Sequence, residues 1–553
     1  MSDLLTQSAR PKPVVIAEAP KDRALLIDHL TVHPFLFAIY PLLFLYANNF
    51  EEVQLRQVLI SMVFVILLTG LLLAWLKLLV KNSVKAGVLV SALLLLFFCY
   101  GGVRVYLFVG IFQIGKHQYW LPVWLLLFIL YSTVVYKSRS TGKTLTRFLN
   151  LFSVLMVLIT VGKLSLSLYG YQKINAAAYE LKDLDSAVVN KVAGDVKSYP
   201  DIYYIILDGY ASSATLGSLY NYSDNELIRF LKERGFYVAS DSAANYSYTF
   251  LSLASSLNMS HLHRLSEMKG LTSKFKKAPF HITEYNAVVR ILKSRGYRYI
   301  HFGSRYKLTN RNRLADVNVN CDPQDFDIWL GLLMKNTMLS IIEPYFPYEW
   351  FADIKTESKK CLCPFTEIST ALSATGPKFV FMHILLPHPP FFFKRNGALL
   401  SERMLLDIDS SWVKERYLEQ LVFLNGKVKE LIDRILSSTS RPPVIILQSD
   451  HGPASEMNWD SPNDLALKER MTIINAYLLP EGGEKALYNA ITPVNSFRVV
   501  FNHYFGAEFE LMEDRSYFST WNQPYRFIDV TDKVHGDLKA VDQEAGAFNL
   551  SHK

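Results

Sequence analysis

Three short stretches carry side chains whose types and spacing suit chemistry on a charged, oxygen-rich substrate. Ser449-Asp450-His451-Gly452 sets a hard carboxylate oxygen beside an imidazole, a pairing able to hold a divalent cation. Asp208-Gly209 offers a second carboxylate before a glycine, and Asn245-Tyr246-Ser247-Tyr248-Thr249-Phe250-Leu251-Ser252 brings hydroxyls to the start of an apolar, helix-like run. A helix N-terminus favours an oxyanion there. Carboxylates, imidazole and metal beside an alcohol would lower the hydroxyl pKa and make it a nucleophile. Each stretch also has a plainer interpretation. Asp and His are common turn residues, Thr249 suits an ordinary helix cap, and Ser247 and Ser252 rival Thr249 as nucleophile. Phe381-Met382-His383-Ile384-Leu385-Leu386-Pro387-His388-Pro389-Pro390 adds two histidines near a strand end. The prolines restrain the backbone around His388, whereas His383 equally suits a hydrogen-bonded core position.

The elements that must position these groups are legible as apolar runs. Val444 to Leu447 follows a Pro pair and reads as a strand buried on both faces, ending at Asp450, although periodicity alone also allows a buried helical segment. Asp201 to Leu207 is a second β-rich run that ends at Asp208. Further strands are expected at Tyr297–Phe302, Lys378–Ile384 and Thr472–Leu479. Helices are expected at Asp224–Glu233, capped by Asp224 or Ser223, at Glu284–Ser294 and at Lys414–Leu436. Strands alternating with helices imply a mostly parallel, three-layer α/β sheet, and ligands of such sheets sit beyond the carboxyl ends of the strands.

At Asp208-Gly209, at Thr249 before Ser252-Leu253, and at Ser449-Asp450-His451-Gly452, the chain resembles the alkaline phosphatase superfamily. The resemblance is to its membrane-anchored, sulfatase-like phosphotransferases, the lipid A phosphoethanolamine transferases and lipoteichoic acid synthases. It spans roughly residues 200 to 510. It implies that Asp208, Thr249, Asp450 and His451 hold one divalent metal, Zn or Mn, with a second metal left open. It also implies that Thr249 is the nucleophile and that His388 contacts the transferred group or the leaving oxygen, with His383 a further substrate contact. Two departures stand out: those transferases usually begin the set with Glu rather than Asp208, and the Cys/Ser-x-Pro-x-Arg signature of ordinary sulfatases is absent around Thr249.

The chain before residue 200 is of a different kind. Half of the 553 residues are hydrophobic, which suggests a lipid-solvated part. Residues 1–31 are polar, lack the apolar core and cleavage site of a signal peptide, and read as a cytoplasmic tail. Hydrophobic spans follow near 32–48, 57–76, 86–112, 119–136 and 148–170, each about the length that crosses a roughly 30 Å hydrocarbon core. Pro34 and Pro41 interrupt the first. Lys77, Lys81 and Lys85 follow the second span, and Lys137, Arg139, Lys143 and Arg147 follow the fourth. Both loops should therefore be cytoplasmic, and everything beyond about residue 171 outside. Arg104, within the third span, suits either an interfacial arginine or a phospholipid head-group contact, with Val105–Ile114 folding back beside it.

The expected organisation is an α-helical transmembrane domain of about five spans at 32–171, an amphipathic connector at 172–199, and an α/β three-layer, sulfatase-like outer domain at 200–553. Cys321 is expected to pair with Cys361 or Cys363 in an oxidising compartment. The net charge of +8 is largely placed in cytoplasmic loops, and no nucleic-acid-binding pattern is present. Arg305, with Lys307, Arg311 and Arg313, forms a basic cluster that is either a solvated loop or a contact for an anionic substrate. The function expected is metal-dependent transfer of phosphoethanolamine or phosphoglycerol from a membrane phospholipid to an envelope glycan or lipid. A phosphate or sulfate ester hydrolase is the alternative, and a non-catalytic polymer-binding domain is a third possibility.

Overall fold

The computed structural model describes residues 31–50, 53–104, 117–138, 142–190, 199–274, 276–321, 327–342, 354–401, 410–439 and 441–535. They fall into two units, one comprising residues 1–167 with 328–345 and the other residues 168–327 with 346–553.

The first unit holds α1 (His33–Asn49), α2 (Leu55–Val80), α3 (Ser83–Val103), α4 (His117–Lys137) and the start of α5 (Lys143–Asn190). Four helical stretches, Leu55–Val80, Ser83–Val103, Tyr119–Lys137 and Lys143–Tyr169, are long and apolar enough to cross a membrane. The first expected span forms α1, whose 17 residues reach only about 25 Å at 1.5 Å per residue. Leu59, Phe64, Leu71, Trp75, Leu126 and Leu155 project outward uncovered. A water-soluble surface does not tolerate so large an apolar belt, whereas lipid does. Short-range contacts align the helix ends: Lys85 Nζ donates to the Ser138 carbonyl at 2.7 Å, and the His33 amide donates to Asn150 Oδ1 at 3.0 Å. Lys77, Lys81, Lys85, Lys137, Lys143 and Arg147 therefore lie toward one end of the bundle.

Residues 328–342, expected in the outer domain, pack instead within this helical unit. Trp329 is buried against Leu42, Tyr46 and Val58, and its indole N–H donates to Ser61 Oγ at 2.8 Å. The α5 helix also differs from the expected span followed by a separate connector, because it runs unbroken from Lys143 to Asn190. Val105–Ile114, proposed to fold back beside Arg104, lies outside the described residues.

The second unit is built on a seven-stranded sheet of order β2-β7-β6-β1-β5-β3-β4. Its strands are β1 (Ile202–Leu207), β2 (Tyr237–Val238), β3 (Arg298–Phe302), β4 (Val317–Val319), β5 (Lys378–Ile384), β6 (Val444–Gln448) and β7 (Asn475–Leu478). β6, β1, β5, β3 and β4 run parallel, while β7 alone is reversed, pairing antiparallel with β6 on one side and with β2 on the other. Both β1 faces are covered, which makes the unit three layers. Ile202, Tyr204 and Ile206 enter one apolar core with Leu253, Val288 and Phe497. Tyr203, Ile205 and Leu207 enter the other with Leu231, Leu424 and Val428. Full burial on both sides is why these strands read as continuous apolar runs.

Local details depart from expectation where side chains compete for a cap. The helix expected from Asp224 begins at Glu226, because Asn225 caps it and accepts from the Leu227 amide. Likewise Asn286 caps the helix Ala287–Ser294. The two-residue β2 and three-residue β4 carry too little pattern to be seen in advance. Cys363, not Cys361, bonds Cys321, and Cys361 stays a buried free thiol.

Candidate metal centre and active site

Strand register decides which side chains meet. Ile206 of the central strand β1 pairs with His383 of β5 on one side and with Gln448 of β6 on the other. All three strands thus end together, and Asp208 and Asp450 leave the sheet at the same edge. Gly209 follows at φ +77°, a left-handed conformation that glycine adopts without strain. Its amide donates to Asp450 Oδ1 at 3.3 Å. Next, the Tyr210 amide donates to Ser449 Oγ at 2.9 Å, while that hydroxyl donates to the His451 carbonyl at 2.6 Å. The two loops are stitched together before any ligand is considered.

Ligand-capable atoms of Asp208, Asp450 and His451 lie within 4.8 Å of one another, and all three residues are buried. His451 Nδ1 lies 3.0 Å from the Gly452 carbonyl, so the proton belongs on Nδ1 and the Nε2 lone pair faces inward, the tautomer a metal requires. That Nε2 lies 3.2 Å from Asp450 Oδ2, 3.7 Å from Asp208 Oδ1 and 3.0 Å from Thr249 Oγ1. Asp208 Oδ1, Asp450 Oδ2 and His383 Nε2 are buried without a hydrogen-bond partner. Buried polar atoms are costly to leave unpaired. Two orphaned carboxylate oxygens aimed at an imidazole lone pair are a donor set that fits a divalent cation.

The electrostatics agree. Burial, and then the negative charge of Asp208, push the Asp450 carboxyl up to about 6. Burial acts on Asp208 too, but the surrounding His388, His383 and His451 outweigh it and hold Asp208 well below the usual range. His451 is driven well down by burial and by the Arg470 charge, which keeps it neutral. One divalent charge would relieve the carboxylate repulsion.

Thr249 opens the helix Thr249–Asn258, with Tyr248 at the cap position. Its hydroxyl reaches His451, whereas the rival hydroxyls are committed elsewhere. Ser252 Oγ donates to the Asp450 carbonyl at 2.7 Å, and Ser247 Oγ sits 3.4 Å from the Ser519 carbonyl. His388 is brought in by its amide, which donates to the Asp208 carbonyl at 3.0 Å; its ring centroid is 6.2 Å from that of His451. Gln420 holds the Pro387 and His388 carbonyls, at 3.2 Å each. His383 lies against the cluster, with Nε2 3.4 Å from Asp208 Oδ2 and Nδ1 2.8 Å from Thr309 Oγ1. Its side chain is buried there, beside Asp208. Arg305 stands apart: it pairs with Glu357 and does not line the cavity over Thr249.

That cavity, of about 340 Å³, is lined by Thr249, His388, His451 and Arg470 together with aromatic side chains. Arg470 was not singled out in the sequence, where Lys468-Glu469-Arg470 resembles an ordinary charged helix end. It is buried, with Nε donating to the Ser247 carbonyl at 2.9 Å and Nη1 to that of Gly452 at 2.8 Å. It thus ties the nucleophile loop to the Asp450-His451 loop.

The fold and site define a chain with a membrane-compatible helical unit and an α/β unit carrying a candidate metal centre at its central strand ends. No protein-family model matches the chain, and no curated protein matches it. Among solved structures it is similar to the C-terminal periplasmic domain of EptC from Escherichia coli. The identity is 14%, over 61% of this chain and 94% of that one, with a TM-score of 0.39. For the same domain in complex with Zn the TM-score is 0.38, at the same identity and coverage. The integral membrane lipooligosaccharide phosphoethanolamine transferase A (EptA) from Neisseria meningitidis matches at 13% identity, over 86% of this chain and 95% of that one, with a TM-score of 0.37.

Proposed function

We propose that the protein is a metal-dependent phosphotransferase that moves a phospho-alcohol group from a membrane phospholipid to an envelope glycan or lipid through a phospho-threonine intermediate. The observation that carries this is the approach of Thr249 Oγ1 to within 3.0 Å of His451 Nε2, beside the orphaned oxygens of Asp208 and Asp450. Asp208, Thr249, Asp450 and His451 would hold the cation, with zinc or manganese suited to mixed carboxylate and imidazole donors. When bound, it supplies Lewis acidity at the hydroxyl and neutralises phosphate charge.

Thr249 Oγ1 attacks phosphorus, and the bond from phosphorus to the lipid oxygen breaks. The positive end of the helix Thr249–Asn258 would face the phosphoryl oxygens, and His388 supplies the proton to the departing alcohol. A second alcohol then displaces Thr249 in the reverse sense, so two inversions leave the configuration at phosphorus retained. Lipid-compatible helices in the same chain would keep the protein in the membrane that contains a lipid donor, which supports transfer over hydrolysis. The basic bundle end is assigned to the cytoplasm by the excess of lysine there. With α1 counted as a span, the catalytic unit then faces the periplasm or the cell exterior.

The test is intact-mass spectrometry of the full-length protein after incubation with metal and mixed phospholipids. Native protein should gain mass and Thr249→Ala should not. A native protein that stays unmodified with acceptor absent, or a Thr249→Ala protein that still gains the mass, refutes the proposal.

A further inference from the structure

On the phosphotransferase reading, taken here as the basis, the transferred group presents nonbridging oxygens whose negative charge has to be met by donors throughout the transfer. Donors already committed inside the protein are no use for this. Two side chains in the wall of the cavity over Thr249 keep a donor uncommitted, Tyr306 and Arg470.

The sheet brings them in from opposite sides of β1. Tyr306 lies in the loop after β3, on the β5 side, and Arg470 lies in the last turn of the helix Asp464–Met471, which leads into β7 on the β6 side. β7 starts beside the end of β6, with Asn475 paired to Gln448. The reversed strand therefore delivers the helix before it to the edge where Asp208 and Asp450 leave the sheet. On the other side, the Tyr306 ring stands 6.0 Å from that of His383, edge to face, and the Asp208 and Asp450 charges both reach its phenol.

Tyr306 Oη hydrogen-bonds no described residue and is not closed off from the cavity. A phenol is protonated at neutral pH and donates. Arg470 is only 5% exposed. Its Nε and Nη1 are fixed on the Ser247 and Gly452 carbonyls, which sets the plane of the guanidinium, while Nη2 has no hydrogen-bond partner among the described residues. The Asp450, Asp208 and Glu469 charges reach the guanidinium, but none of these carboxylates forms an ion pair with it. Glu469 is held by Tyr220, Ser455 and the Glu456 amide. A guanidinium anchored along one edge presents the other to an oxyanion. Both donors are set before substrate arrives, so neither has to reorganise as charge develops.

We infer that Tyr306 Oη and Arg470 Nη2 are further catalytic donors, which hold the nonbridging oxygens of the phosphoryl group as it moves to and from Thr249. Neither gives up its proton. The bond from Thr249 Oγ1 to phosphorus forms as the bond from phosphorus to the lipid oxygen breaks, and the threonine proton leaves, in net, on the departing alcohol; no oxidant or reductant is needed.

The full-length protein in nonionic detergent, loaded with zinc and freed of excess metal, is compared with Tyr306→Phe and Arg470→Lys. Inorganic phosphate, titrated against the thermal unfolding midpoint, probes the oxyanion site. Intact mass follows the rate of Thr249 adduct formation from mixed phospholipids, and chelator competition measures zinc affinity. Both variants should bind phosphate more weakly and label more slowly by on the order of tenfold to a hundredfold, the loss expected for one hydrogen bond to a charged group. Zinc affinity should stay at the native value. Tyr306→Phe keeps the test decisive where Arg470→Lys fails to fold, because the phenolic hydroxyl holds no described residue in place. Native phosphate affinity or a native labelling rate in Tyr306→Phe, or in folded Arg470→Lys, overturns the inference and leaves the phosphotransferase reading standing. A parallel fall in zinc affinity also overturns it, by assigning the effect to the metal centre. Absence of any Thr249-dependent adduct in the native protein overturns both reading and inference.

Discussion

Asp450→Asn separates a metal site from a purely structural cluster by moving stability in opposite directions with and without metal. In the metal-free protein, burial and the Asp208 charge raise the Asp450 carboxyl from 3.8 to about 6. A carboxylate whose folded pKa is raised loses stability as pH climbs through that window and stays penalised above it. At neutral pH two units correspond to roughly 3 kcal/mol. The amide removes the charge, keeps an oxygen for the Gly209 amide, and places an NH2 where Oδ2 now lies 3.2 Å from the His451 Nε2 lone pair. In chelator the variant should therefore be more stable than the native protein by about 2 to 3 kcal/mol, after some loss to imperfect packing. With metal at 100 times its dissociation constant the native protein gains about 2.7 kcal/mol by linkage, whereas the variant gains little. The assay is denaturant unfolding of the full-length protein in detergent, followed by a probe of the α/β unit, with chelator and with zinc or manganese. An Asn variant less stable than native in chelator, or one stabilised by metal as strongly as native, refutes the argument.

Three further expectations follow from named contacts. Gly452→Ala should destabilise the α/β unit by about 3 kcal/mol, because a Cβ there collides with the Glu469 carbonyl oxygen and crowds that of Thr472; thermal unfolding measures it, and a neutral substitution would show that the two backbones part easily. His301 is held neutral at about 4 by burial, its nitrogens 2.9 Å from the Tyr299 hydroxyl and from the Thr309 carbonyl. Its folded pKa lies below the unfolded value near 6.5, so stability should be complete above that pH and fall by roughly 3 kcal/mol as pH drops toward 4, a slope that His301→Gln flattens in unfolding titrations. Reporter fusions after residue 50 and after residue 190 should both be extracytoplasmic; opposite placement of the two would mean that α1 to α5 do not alternate across the membrane.

Much of the site was visible in one dimension because its members sit next to strong punctuation. Asp208 and Asp450 each follow an apolar β run and precede a glycine, and Thr249 opens an apolar helix. Arg470 was invisible because its sequence neighbours, Lys468 and Glu469, resemble a solvated helix end, and only burial against Ser247 and Gly452 separates it from them. Arg305 shows the converse: in the sequence its basic cluster suggests an anion, whereas its pairing with Glu357 is set by tertiary structure. His383 was legible as a histidine on a strand, not as a neighbour of Asp208.

What the sequence by itself determined is therefore local and periodic: long apolar helices, strands buried on both faces, and polar groups at strand ends. Hydrophobic period and chain punctuation act over a few residues and need no partner. Tertiary structure alone decided three things: the register that ends β1, β5 and β6 together, the packing of residues 328–342 within the helical unit, and the burial of Arg470 against the Ser247 and Gly452 carbonyls. These depend on residues tens to hundreds of positions apart. Their contact energies exist only once both partners have been placed, so no pattern within either segment encodes them.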